Sequence, residues 1–288
     1  MSKAVRSIGL SLTGAPPGRA NMTASTVPGP AGALAIDDGG RGGLPAVFVH
    51  SLAGNSSHWD EQLEHLRPYR RAVALDLRGH GRSEPPQNSD YSIAGMARDV
   101  AAVVDTLGLD RFVLVGHSMG GGVALSYAGA YPHRVASLLL VDPIGDGKQI
   151  SEAETKPLLA RLDSNYDTTI RAYWTGIAGP DSPVRERLLA DLRATPRETV
   201  VPAFRAALQF DPDPSLARYR GPILSIVTPY NDQPFSLHRL GKGFPHQMVQ
   251  GTGHWIQLDK PEEFNRLLDE FLEKSVRENK SASGKRKA

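Results

Sequence analysis

The pentapeptide Gly116-His117-Ser118-Met119-Gly120 places a serine in a setting that could do chemistry. A serine hydroxyl is a weak nucleophile until a neighbouring base takes its proton. It must also stand exposed at a tight turn. Gly-x-Ser-x-Gly meets that second need, because the flanking glycines remove side chains that would clash where a strand turns sharply into a helix. The pattern is informative only with a strand before it and a helix after it. Here the strand-like stretch 111–115 precedes it, and residues 120–131 are small and apolar and are followed by Pro132. Ser118 is therefore the candidate nucleophile of an acyl-transfer reaction.

Such a serine needs a base, an acid and an anion site. The base is expected on a loop late in the chain. His254, in Gly251-Thr252-Gly253-His254-Trp255, lies between the apolar run 247–249 and the last helical pattern. His117 is adjacent to the serine, and adjacent side chains on a turn diverge. His58, His65, His133, His238 and His246 have no comparable context. The acid must fix the histidine tautomer and stabilise the imidazolium. In the chain order serine, acid, histidine, Asp232 is the first choice, because it follows the apolar run 223–227. Asp142, after the run 138–141, is the rival, and it could equally be a turn residue ahead of Pro143. Two backbone N–H groups must face the developing oxyanion. Met119 is one candidate donor. Leu52, in His50-Ser51-Leu52-Ala53-Gly54, is the other, unless its side chain is simply cavity wall.

The elements that must hold these residues can be read from the pattern. Short apolar runs at 46–50, 72–75, 112–115, 138–141, 223–227 and 247–249 end in polar or turn residues, as buried parallel strands do. Ile93, Met96, Ala97, Val100, Val103, Val104 and Leu107 recur at helical spacing before Gly108, and Pro261 opens a last helix with Phe264, Leu267, Leu268, Phe271 and Leu272 on one face. The alternation predicts an α/β fold with a mostly parallel central sheet flanked by helices. Residues 145–217 break it with helical patterns and aromatics, as an inserted helical cap would. The expected layout is a disordered leader at 1–22, a core formed by 23–144 and 218–275, the cap at 145–217 and a flexible tail at 276–288.

Composition narrows the function classes. A net charge of +2 without a basic stripe argues against a nucleic-acid partner. The chain has no cysteine, which removes disulfides, thiolate metal ligands and a cysteine nucleophile. This fits a cytoplasmic protein, although many secreted bacterial proteins also lack cysteine. No apolar run approaches the ~20 residues of a membrane span. The apolar patch 8–12 is too short for a secretory signal of roughly 7–15 residues. Composition carries no information on oligomeric state.

Four segments together resemble the α/β-hydrolase superfamily, in its capped branch of carboxylesterases, cofactor-free haloperoxidases and enol-lactone hydrolases. They are His50-Ser51-Leu52-Ala53-Gly54, Asp76-Leu77-Arg78-Gly79-His80-Gly81-Arg82-Ser83, Gly116-His117-Ser118-Met119-Gly120-Gly121 and Gly251-Thr252-Gly253-His254-Trp255. The resemblance implies a serine esterase acting without metal or cofactor on a small to medium apolar ester. Arg78 and His80 are assigned to loop architecture. His50, Ser51, Ile144, Tyr173, Trp174, Phe204 and Trp255 are expected to line the substrate site. Lactone opening, perhydrolysis and carbon–carbon hydrolysis use the same constellation, and a non-catalytic ligand-binding protein is the alternative from another class. Two departures stand out. The family usually has His-Gly where this chain has His50-Ser51. Its acid segment usually ends in Gly-x-x-Asp, whereas Thr228-Pro229-Tyr230-Asn231-Asp232 lacks the glycine and brings the aspartate one residue late.

Overall fold

The apolar runs become the strands of one eight-stranded sheet, ordered β1-β2-β4-β3-β5-β6-β7-β8. The strands are β1 (Ala24–Pro28), β2 (Ala33–Gly39), β3 (Ala46–Val49), β4 (Ala72–Leu75), β5 (Phe112–His117), β6 (Val135–Val141), β7 (Ile223–Val227) and β8 (His246–Met248). Pairing from β4 through β8 is parallel, and β1 and β2 add an antiparallel edge. The computed structural model describes residues 24–179, 183–241 and 244–285. The expected leader, 1–22, lies outside the described residues.

Strand alternation assigns each apolar side chain to one face of the sheet. Val47 and Val49 of β3 face one core, while Ala46 and Phe48 face the other. The first core receives α2 (Ile93–Thr106) and α3 (Met119–Ala130). The second receives α1 (Asp60–Leu66) and α10 (Pro261–Lys285), through Leu63, Leu66, Phe264, Leu267 and Leu268. Each such leucine or phenylalanine, fully buried, contributes about 1.5–3 kcal/mol. Between α10 and β8 lies the short α9 (Ile256–Asp259).

Among the described residues, five helices separate β6 from β7: α4 (Glu152–Ser164), α5 (Tyr166–Ile177), α6 (Pro183–Ala194), α7 (Arg197–Leu208) and α8 (Asp213–Arg218). The last of these packs on the core rather than in the cap, since Ser215 lies against Gly129 of α3. At the C-terminus α10 runs to Lys285, into the segment 276–288 expected as a tail. After Pro261 the first helix-breaking residue is Gly284, and the residues between are tolerated in a helix. Strand β1 was not expected, because its neighbourhood is rich in glycine and proline.

The strand order places the chemistry. From β3 the chain returns to the sheet on one side, at β4. From β5 it returns on the other side, at β6. The loops after β3 and β5 therefore part at the C-terminal edge of the sheet, where crevices of α/β folds form.

Candidate active site

Ser118 sits between β5 and α3 with φ 54° and ψ −119°. An L-residue rarely adopts this conformation, and it costs about 1–3 kcal/mol. The surroundings enforce it. A side chain at Gly116 would meet Gly120 O at 2.2 Å, and one at Gly120 would meet His50 O at 2.3 Å. The Ser118 N–H donates to Val141 O at 2.9 Å, and the Ile144 N–H donates to Ser118 O at 3.1 Å. The turn is thereby stitched to both sides of Asp142. Met119 opens α3, where N–H groups have no intrahelical acceptor.

Asp142 is the carboxylate that meets His254. The Nδ1–H of His254 donates to Asp142 Oδ2 at 2.7 Å. The Thr228 hydroxyl donates to the same oxygen at 2.7 Å, and the Thr228 N–H to Oδ1 at 2.7 Å. Both partners of the pair are buried. Asp232, the expected acid, is turned outward. Its oxygens accept from the Arg239 guanidinium at 2.7 and 2.6 Å and from His238 Nε2 at 2.9 Å. Arg239 first, and His238 after it, hold the Asp232 carboxyl well below the usual carboxylate range. Asn231 faces inward in its place, its Nδ2 donating to Pro143 O at 2.8 Å.

His50 also departs from expectation. It is fully buried and does not line the cavity. Its Nδ1–H donates to Ser51 O at 2.6 Å, and its Nε2 accepts from the Leu77 N–H at 2.9 Å. Burial, together with the neighbouring His80, pushes its pKa well below the ordinary histidine value. It is a neutral strut of the loop. Ser51 stands where the family has glycine, and its hydroxyl accepts the indole Nε1–H of Trp255 at 3.2 Å. The departure from His-Gly thus has a partner on the opposite loop. The segment after β4 is architectural. Arg78 makes a bidentate pair with Asp99 at 2.7 and 2.6 Å, and burial lowers His80 to about 4.

The cavity above Ser118 measures about 460 Å³. Ser51, Leu52, Met119, Ile144, Tyr173, Trp174, Phe204, His254 and Trp255 line it, with Asp142 at its base. Tyr173 stacks edge-on to Phe204, with ring centres 5.2 Å apart, and Trp174 lies 6.3 Å from Trp255. Sequence reasoning missed Glu154, Asn231 and Tyr230 in the lining. It also missed Thr228, whose only signal was its place directly after β7.

His117 acquires a role that its neighbour relation to Ser118 did not suggest. Its Nε2–H donates to the backbone carbonyl of His254 at 2.8 Å, and its Nδ1 accepts from Gln257 Nε2 at 3.2 Å. Burial holds its pKa well below the ordinary value, so it stays a neutral donor. The residue before the serine thus fixes the backbone of the histidine. Replacing it with phenylalanine is expected to lower kcat by about 10- to 100-fold, since a misplaced base costs rate rather than affinity. Glutamine, which keeps an N–H to donate, should restore most of that loss. Steady-state kinetics on the two variants check this, and a glutamine variant that loses as much as the phenylalanine one would count against the hydrogen bond.

The comparisons agree with this architecture. Residues 45–200, more than half of the chain, match the family model for the alpha/beta hydrolase fold. A dihydrolipoyllysine-residue acetyltransferase component of the acetoin cleaving system of Pseudomonas putida is 31% identical over 247 residues, 82% of this chain. The chain spans 65% of that relative's length. A thermophilic esterase from Thermogutta terrifontis superposes with a TM-score of 0.75 at 25% identity, covering 88% of this chain and 99% of the esterase. Est816, described as an N-acyl homoserine lactone degrading enzyme, superposes with a TM-score of 0.74 at 25% identity, covering 86% of this chain and all of that one. With the strand order, the strained serine turn and the family match in agreement, this chain belongs to the α/β-hydrolase fold family.

Proposed function

We propose that the protein is a serine hydrolase that cleaves carboxylic esters of small to medium, largely apolar substrates through an acyl-enzyme. The observation that carries this reading is Ser118 on a strained turn, sharing one aromatic cavity with a histidine whose Nδ1 is bonded to the buried Asp142. Ser118 Oγ attacks the ester carbonyl while His254 Nε2 takes its proton. Asp142 accepts from Nδ1–H throughout and stabilises the imidazolium. The N–H groups of Met119 and Leu52 receive the oxyanion. His254 then protonates the departing alcohol. It next draws a proton from water, whose oxygen attacks the acyl carbon and releases the acid and Ser118. Similarity to the esterase and to the lactone-degrading enzyme supports acyl transfer to water. Opening a lactone is the same sequence of steps with the alcohol still tethered.

Pre-steady-state mixing with 4-nitrophenyl esters, from acetate to decanoate, tests the reading. A burst of 4-nitrophenol stoichiometric with enzyme, followed by slower turnover, is the fingerprint of an acyl-enzyme. Ligand binding in the cavity with no turnover of any ester or lactone would overturn it in favour of a binding protein.

A further inference from the structure

The cavity's charge inventory points to a substrate class. Among the described residues lining it there is no lysine or arginine, and its carboxylates are Asp142 and Glu154. Asp142 is committed to His254 and Thr228. Glu154 is exposed yet lines the cavity, so it stands at the mouth. It sits in the first turn of α4 in a capping box, where its Oε2 accepts from the Ser151 N–H at 3.0 Å and the Ser151 hydroxyl at 2.7 Å. Those two bonds hold its carboxyl below the usual carboxylate range, so it is charged at neutral pH.

Two of the uncharged side-chain amides in the lining are already engaged. Asn231 and Gln233 each direct an amide hydrogen at a backbone carbonyl, those of Pro143 and Tyr230, at 2.8 and 3.3 Å. A carboxylate leaving water needs a paired charge or a full set of donors. A substrate bearing one would meet no lysine or arginine among the described lining residues, and it would pass a like charge on the way in.

We propose that this site selects substrates by charge, accepting uncharged acyl groups and turning away those that carry a carboxylate, with Glu154 as a specificity-determining residue. The proposal deepens the esterase reading and rests on it for the reaction.

The test compares 4-nitrophenyl hexanoate with mono-4-nitrophenyl adipate, which match in chain length and differ by one carboxylate. The neutral ester should be favoured in kcat/KM by about tenfold or more, chiefly through KM, and the preference should shrink as salt screens Glu154. Glu154→Gln keeps the capping box and should narrow the ratio, and Glu154→Lys should narrow it further. Equal kcat/KM for the two esters, or a ratio unmoved by both substitutions, would overturn the proposal. A second arm is independent of turnover. Binding of methyl hexanoate and of monomethyl adipate to the Ser118→Ala variant is followed by fluorescence of Trp174 and Trp255. Tighter binding of the neutral ligand supports charge selection even if neither ester is hydrolysed, an outcome that removes only the esterase reading. Equal binding of the two overturns the charge selection.

Discussion

Replacing Ser118 with alanine is expected to lower kcat for ester hydrolysis by about 10⁵-fold or more, because the nucleophile of a covalent mechanism has no substitute. Binding of substrate should persist, since the aromatic lining is untouched. The strained backbone adds a control. Alanine inherits φ 54° without relief, whereas glycine adopts that region freely. Ser118→Gly should therefore be as inactive as Ser118→Ala while unfolding about 1 kcal/mol later, the net of released strain and the entropy cost of glycine. Denaturant melts beside burst kinetics check both halves. Retained turnover in either variant would overturn the assignment of the nucleophile.

Converting Asp142 to asparagine should cost about 10⁴-fold in kcat, the scale expected when the histidine loses the partner that fixes its tautomer. Three donors converge on this carboxylate, from His254, from the Thr228 hydroxyl and from the Thr228 N–H. An amide cannot accept all three, because its nitrogen brings hydrogens of its own. Asp232→Asn is expected to leave turnover within a few-fold. It loses an exposed bond to Arg239 and one to His238, and such surface pairs contribute little. Measuring kcat for the two variants side by side decides the matter. A large loss confined to Asp232→Asn would restore the acid that the sequence favoured.

The pairing of His254 with Asp142 rather than Asp232 shows where sequence reading stops. Strands β6 and β7 are neighbours in register, with Val141 opposite Ile226. Asp142 and Asp232 therefore both follow strands at the same edge, and each satisfies the rule that an acid follows a strand. What separates them is side-chain direction, set by Thr228 drawing one inward and Arg239 drawing the other outward, and neither is a matter of spacing. The serine turn and the late-loop histidine were legible because backbone demands, glycines around a tight turn and a late loop before a helix, leave marks in the sequence. The parallel strands were legible because strands buried on both faces are apolar throughout. His50 was misread for the converse reason. A histidine at the end of a strand looks the same whether it faces a ligand or, as here, braces its own loop through Ser51 and Leu77. The continuation of α10 beyond residue 275 leaves little mark because its sequence lacks an apolar stripe, although nothing before Gly284 stops the helix.

The attachment of His254 has a consequence for anyone recombining members of this family. Residues 145–217 fall between the serine and aspartate on one side and the histidine on the other, so they look like a cassette that could be exchanged to change substrate. The His254 N–H, however, donates to Ile177 O at 2.9 Å, at the end of α5. Just beyond it the chain runs so close that a side chain at Gly253 would meet Ala178 O at 2.4 Å. With His117 holding the carbonyl of the same residue, the histidine hangs between the cassette and the sheet. A chimera that swaps the whole insertion removes one of its two backbone anchors. One that keeps residues 174–179 and exchanges the helices around them retains both, and its crossover points belong there.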